Sequence, residues 1–362
     1  FLLYFQGVAP ELAECCTTFV RLLHPVTKSE LRNFHDSFSQ VVQSASPLWD
    51  FRFRTTVQNT LSTSSVFTGR GLHSGAPVRM TVKPAPANHG IWFHRVDLSG
   101  VTNLVPAIWD AVVPSALCTL VANRDDIGVS TIEHVMAAIA GCAIHNALIE
   151  IDGPEVPILD GSAMPFVAGF LAAGIERQSA PVRAIRVLKT VEVRDGAALA
   201  RLEPAEMLEI DFSIEFPDAA IGRQIKTLNM ANGAFVRELS DSRTFCRSAD
   251  VIAMRARGLA LGGTLDNAVV FEGDKVLSPG GLRHSDEPVR HKMLDALGDL
   301  ALAGGPLLGR YTGVRAGHAL TNQLLRALFA TPGAWRADDC SALTGGKLPG
   351  VGVHIGDLPA RH

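Results

Sequence analysis

The sequence predicts an α+β protein of two similar-sized domains, and three observations point there. The 362 residues, 47% hydrophobic and 19% charged, suffice for two cores at roughly 150 residues per domain. Strand-like alternation followed by helix-like periodicity recurs in each half. Between the halves, Arg177-Gln-Ser-Ala-Pro-Val182 reads as a linker, polar at its start and carrying a proline near its end. The frame is an N-terminal extension (1–55), a first domain (56–181), a second domain (182–335) and a C-terminal tail (336–362).

Residues 8 to about 55 mix two adjacent cysteines, short apolar patches and charges without sustained period, as a loosely packed extension does. Tyr4-Phe5-Gln6-Gly7 looks like the end of a protease-cleavage tag and is set aside. From Thr56 the pattern sharpens. Val78-Arg-Met-Thr-Val82 and Ala147-Leu-Ile-Glu-Ile151 alternate as strands, and Ser130 to Ile144 carries Ile132, Val135, Met136, Ile139 and Ala140 at helical spacing. Past the linker, Ala184–Val193 and Leu208–Ile214 alternate as strands. Helices are expected near Asp250–Arg257, Pro288–Ala303 and His318–Phe329. The tail from Gly333, rich in Gly, Pro and charge, predicts no particular structure.

Composition removes several function classes. A net charge of -3 provides no global basic field for nucleic acid or an anionic membrane, so an anionic substrate needs local Arg or Lys. Six cysteines without CxxC spacing are too few for a disulfide scaffold and read as reduced thiols. No apolar run reaches the roughly 18 to 20 residues of a membrane span, and no secretory leader is evident. A cytoplasmic protein is the expectation. There is no GxSxG, Walker A or paired CxxC pattern. The glycine-rich stretches Gly69–Gly75 and Gly262-Gly263 read as ordinary turns.

Three constellations remain. Ser130-Thr-Ile-Glu-His134 is a capping box by spacing, in which Ser and Glu would satisfy backbone N–H groups at a helix start. The same residues place a carboxylate beside a metal-ligating imidazole type. In Glu287–Leu300, His291, Lys292, Asp295 and Asp299 fall on one stripe at about 100° per residue. A solvated polar face explains them, and so does a His and Asp at i, i+4 gripping one metal. In Gly313–Asn322, His318 follows glycine at a loop-to-helix junction, either as a first-turn polar residue or as a histidine that moves protons near neutral pH.

These segments, taken in order, resemble the UDP-3-O-acyl-N-acetylglucosamine deacetylase family of lipid A biosynthesis. The resemblance rests on Thr68-Gly-Arg-Gly-Leu-His-Ser-Gly75, Ser130–His134, Pro157-Ile-Leu-Asp-Gly-Ser-Ala-Met-Pro-Phe166 and Ser242-Arg-Thr-Phe245. It continues through Leu261–Val269, Val289-Arg-His-Lys-Met-Leu-Asp295 and Ala316-Gly-His318, across roughly residues 56 to 335. It implies two similar domains, each a helix layer on a β-sheet, with the active site in the cleft between them. It implies hydrolysis of the N-acetyl group of UDP-3-O-(3-hydroxyacyl)-N-acetylglucosamine, a small-molecule UDP-acyl-sugar, with no nucleic acid and no obligate protein partner.

The resemblance also implies a catalytic Zn2+ on His134, His291 and Asp295, although two His and one Asp can ligate Fe2+ as well. Glu133 is implied to take a proton from the attacking water. His318, oriented by Asp299, would serve the oxyanion and the leaving amine, and Thr244 would offer the oxyanion a hydroxyl. Lys292, Phe245 and Cys118 would meet substrate, with a buried structural thiol as the other reading of Cys118. Ile252, Met254 and Leu259 would wall an acyl passage, or else form an ordinary buried helix face. Two departures stand out: about 50 residues precede the family core, and Cys246 stands where many members have glycine. The alternatives are another metal-dependent amidohydrolase on this scaffold and a non-catalytic sugar-binding homologue.

Overall fold

The computed structural model of the protein describes residues 56–100 and 102–359. The extension expected over residues 1–55 therefore lies outside the described residues. Strand formation follows the alternation. In Pro77–Pro84, Val78, Met80 and Val82 point into the core while Pro77 and Arg79 stay exposed. Burying each such side chain is worth roughly 1.5–3 kcal/mol, against strand-propensity differences of order 1 kcal/mol, so the apolar period decides where the strand lies. Leu208–Glu215 buries Leu208, Ile210, Phe212 and Ile214 by the same rule.

The first half builds a five-stranded sheet in the order Ser65–Arg70, Pro77–Pro84, Ala147–Ile151, Ile91–Arg95, Leu104–Pro106. Only Ala147–Ile151 beside Ile91–Arg95 is parallel. A small three-stranded sheet (Val112–Val113, Leu120–Ala122, Gly128–Ser130) leads into the helix Glu133–Gly141. The second half builds a seven-stranded sheet around Leu307–Val314, which pairs Ala198–Glu203 along one edge. It also pairs Arg183–Val187 and Leu208–Glu215, both parallel. The helices Glu287–Ala301 and His318–Ala330 pack on this sheet.

Several expectations change here. Arg177–Val182 is not a free linker: Ile175–Pro181 is a strand, antiparallel to Val57–Leu61. Its polar side chains sit on a two-stranded ribbon, which needs little apolar alternation. The single strand expected over Ala184–Val193 is two, Arg183–Val187 and Val191–Asp195, at different places in the seven-stranded sheet. Continuous alternation masks that break at Leu188–Thr190. The tail, with no structure expected, supplies the edge strand Trp335–Asp339 against Arg183–Val187.

The described residues form one compact unit. Within the described residues, strands up to Pro181 pair only with one another, and so do strands from Arg183 onward. Yet the buried apolar cluster runs unbroken from Met80 and Phe93 through Met136 and Leu297 to Phe212 and Tyr311. We propose the division near residue 181 as one of strand pairing, with a core shared across it.

Candidate metal centre and active site

The helices Glu133–Gly141 and Glu287–Ala301, one from each half, pack directly on each other. Both are buried nearly all round, which a helix of a solvated polar face would not be. The stripe of His291, Asp295 and Asp299 therefore faces protein, with the three side chains 3%, 7% and 4% exposed. The solvated-face reading of this helix fails.

The capping-box reading of Ser130 and Glu133 fails as well. Ser130 ends a strand, and its hydroxyl donates to the Pro154 carbonyl. The helix N-cap is Ile132, without a side-chain cap. Glu133 instead accepts the Thr119 backbone N–H at 3.0 Å through Oε2. The turn before it holds Thr131 at φ 58°, a left-handed conformation that costs a β-branched residue of order 1–3 kcal/mol. Glu155, 3% exposed, anchors that turn by accepting the Thr131 hydroxyl and the backbone N–H groups of His73 and Ser74.

Three donor atoms converge where the helices meet. His291 Nε2 lies 3.2 Å and His134 Nε2 3.6 Å from Asp295 Oδ1. The two imidazole rings stand edge to face, 4.9 Å apart. His291 Nδ1 is 3.0 Å from the Ser242 carbonyl, which can only accept, so Nδ1 carries the hydrogen and Nε2 keeps a free lone pair. Asp295 Oδ1 is buried with no hydrogen-bond donor. A buried carboxylate oxygen left unpaired costs several kcal/mol of desolvation, and a cation between the three donors removes that cost. His134, His291 and Asp295 form the three-residue metal-ligating cluster found among the described residues. The donor set fits a divalent metal with a coordination position left open.

An imidazole and a carboxylate flank this point. His318 opens the helix His318–Ala330, and its Nδ1 donates to Asp299 Oδ2 at 2.9 Å. Its Nε2 points back to Glu133 Oε1 at 3.7 Å. Burial pushes the Glu133 carboxyl up to about 8, with the His318 charge opposing. Burial pulls His318 down, but the Asp299 and Glu133 carboxylates outweigh it and hold it at about 10. Burial lowers His134, against the pull of the Asp295 carboxylate. Asp295 resists burial because His291 and Lys292 hold it well below the usual carboxylate range. A divalent cation here would lower the proton affinity of every group around it.

The remaining expected residues divide. Lys292 Nζ donates to Asp295 Oδ2 at 2.8 Å, so it is tied to one of the three converging residues. The half-buried Phe245 ring stands edge to face with His291 at 6.3 Å and packs on Phe216 and Phe271. Thr244 is half-buried, its backbone bonded to Gly161 and Val269. Cys118 is buried, with Sγ 3.3 Å from the Ser115 hydroxyl. All four described cysteines are free. Ile252, Met254 and Leu259 belong to an exposed segment: the helix Ser248–Ala256 buries no residue, and Ile252 is 77% exposed. They do not form an ordinary buried face.

Sequence reasoning missed four contributors. Thr119 bonds both Glu133 and Asp299, Ser242 fixes His291 through a carbonyl, and Glu287 grips Arg243 through three hydrogen bonds. The fourth is Gly262, first read as part of an ordinary turn. Gly262 N and Leu261 N donate to Leu72 O and His73 O, joining the two halves. A Cβ on Gly262 would stand 2.1 Å from Gly71 O, so only glycine permits the approach. Of these, Glu287 had a signal as a carboxylate in the first turn of the helix carrying His291 and Asp295, while Ser242 and Gly262 stood in ordered motifs without a role of their own.

A cation held by three protein donors, between a carboxylate able to accept a proton and an imidazole able to donate one, is one arrangement suited to amide hydrolysis. The fold and the site thus define a metal-dependent amide hydrolase. The sequence profile of the LpxC family, UDP-3-O-acyl N-acetylglycosamine deacetylase, matches residues 58–330. UDP-3-O-acyl-N-acetylglucosamine deacetylase of Phenylobacterium zucineum is 50% identical over 279 residues, 77% of this chain and 95% of that protein. The protein of the same name from Shewanella halifaxensis is 45% identical over 285 residues, 78% and 92% of the two chains. The chain belongs to this deacetylase family. Among the described residues no helix is long and apolar enough to cross a membrane.

Proposed function

We propose that the protein hydrolyses the N-acetyl group of UDP-3-O-(3-hydroxyacyl)-N-acetylglucosamine, releasing acetate and the free sugar amine, as a cytoplasmic step of lipid A biosynthesis. The observation that carries this is the buried, donor-less Asp295 Oδ1 facing two imidazole Nε2 atoms, in a chain whose relatives bear that activity in their names. His134, His291 and Asp295 would hold Zn2+, or Fe2+, which the same nitrogen and oxygen donors accept. When bound, the ion polarises the acetamide carbonyl and lowers the pKa of water at its open position.

The side chains supply the rest. Glu133, fixed by the Thr119 N–H, takes the proton of the attacking water. His318 is kept cationic by Asp299, so it can meet the developing oxyanion and then protonate the amine, which leaves poorly otherwise. Thr244 adds a hydroxyl toward the oxyanion. Lys292, Phe245 and Cys118 border the sugar end. Ile252, with the half-buried Met254 and Leu259, contacts the 3-O-acyl chain, which would cover the apolar surface that Ile252 now exposes to water. No partner protein is needed for this chemistry.

The test is Glu133→Gln, which keeps shape and removes the base. Acetate release is expected to fall by about 10²-fold or more, with one equivalent of zinc still bound. Undiminished release from the zinc-loaded variant sinks the assignment of Glu133.

A further inference from the structure

Thr119 sits between the two proton-handling groups and is 3% exposed. It immediately precedes the strand Leu120–Ala122 of the first half. Its hydroxyl donates to Asp299 Oδ1 at 2.5 Å, across to the second half, while its backbone N–H donates to Glu133 Oε2 at 3.0 Å. The opposite oxygen of Asp299 accepts from His318 Nδ1. One residue therefore touches the partners of both ends of the 3.7 Å gap between Glu133 Oε1 and His318 Nε2.

We propose that Thr119 is a positioning residue that locks Glu133 and the Asp299–His318 pair into one geometry. A buried carboxylate with only one oxygen satisfied can rotate toward another donor, and its histidine would follow. The Thr119 hydroxyl removes that freedom, because no other hydrogen bond to Asp299 Oδ1 occurs among the described residues. The backbone amide is common to every residue type except proline, so the side chain is what distinguishes threonine here. Valine matches its shape without the donor, and serine keeps the donor without the methyl. This inference rests on the proton-transfer roles proposed for Glu133 and His318.

The experiment measures kcat, KM and bound zinc for Thr119→Val, Thr119→Ser and Glu133→Gln in the full chain. Thr119→Val is expected to lower kcat at least about tenfold, as a misplaced catalytic group does. KM should change by less than about twofold and zinc should stay at wild-type stoichiometry. Thr119→Ser should recover kcat to within about threefold of wild type. Wild-type kcat in Thr119→Val overturns the proposal, as does a serine variant as slow as the valine variant, or loss of zinc from either. Because valine can leave Asp299 unpaired and unsettle the fold, Thr119→Val is also combined with Asp299→Asn, which removes the buried charge. A double variant no slower than Asp299→Asn alone is expected if Thr119 acts through Asp299, and an additive loss contradicts it. Glu133→Gln at wild-type rate would instead overturn the underlying proton-transfer roles.

Discussion

Gly298 lies so close beneath Glu133 that a Cβ there would stand 2.0 Å from the Glu133 carbonyl oxygen. This contact sets the spacing of the two ligand-bearing helices, since Glu133 and His134 come from one, and His291 and Asp295 from the other. Gly298→Ala must push them apart or tilt them. Overpacking of this kind costs about 1–3 kcal/mol. The expected result is a lowered melting temperature together with weaker zinc binding in chelator competition. A variant with wild-type zinc affinity would show that the crossing does not set the ligand geometry.

Glu287 is fully buried and accepts from the Arg243 backbone N–H, the Arg243 guanidinium and the Arg283 N–H. Arg243 follows Ser242, whose carbonyl sets the tautomer of His291. Glu287→Gln is expected to weaken zinc affinity by roughly 10- to 100-fold, as loss of a ligand's support does. Equilibrium dialysis against a metal buffer reads this directly.

The same residue gives a pH signature. Burial raises the Glu287 carboxyl, but the hydrogen bonds from Arg243 and Arg283 outweigh it and leave it depressed. A depressed carboxyl contributes stability that is present above its unfolded pKa, about 4.3, and lost as pH falls through the lower folded value. Thermal denaturation below pH 4.3 should therefore fall less steeply in Glu287→Gln than in the wild type. Parallel curves would contradict the pair's role.

For His318, burial pulls the imidazole down while the Asp299 and Glu133 charges pull it up, to about 10 in the absence of a cation. The alkaline limb of kcat is assigned to loss of the His318 proton. Asp299→Asn removes the first of those two charges, so this limb should move to lower pH by more than the acid limb, assigned to Glu133, on which the Asp299 charge also acts. A shift of about one unit corresponds to about 1.4 kcal/mol of lost charge stabilisation. An unmoved alkaline limb would separate Asp299 from the protonation of His318.

Much of the fold was legible because it rests on apolar period. Pro77–Pro84, Leu208–Glu215 and Ala147–Ile151 bury alternate residues, and each was predicted within a few residues. The failures fall where pairing, not period, decides. Ile175–Pro181 is a strand because Val57–Leu61 lies beside it, and Trp335–Asp339 because Arg183–Val187 does. At the site, the ordered motifs brought forward His134, His291, Asp295, Glu133 and His318, and the structure brings them together. The i, i+4 spacing of His291 and Asp295 could not by itself distinguish a buried stripe from a wet one. Thr119 and Gly298 left no trace in the sequence, and Ser242 stood in a motif without a role of its own, since a hydroxyl, a missing Cβ and a backbone carbonyl acquire meaning only from what stands opposite.

The central claim is that His134, His291 and Asp295 hold the metal on which deacetylation depends. Acetate release from UDP-3-O-(3-hydroxyacyl)-N-acetylglucosamine should be measured for the protein as purified, after chelator stripping, and after one equivalent of Zn2+ is returned, with Asp295→Ala beside it. Activity that disappears on stripping and returns with zinc, but never returns in Asp295→Ala, is the predicted result. Full activity in the stripped protein, or in Asp295→Ala, would contradict it.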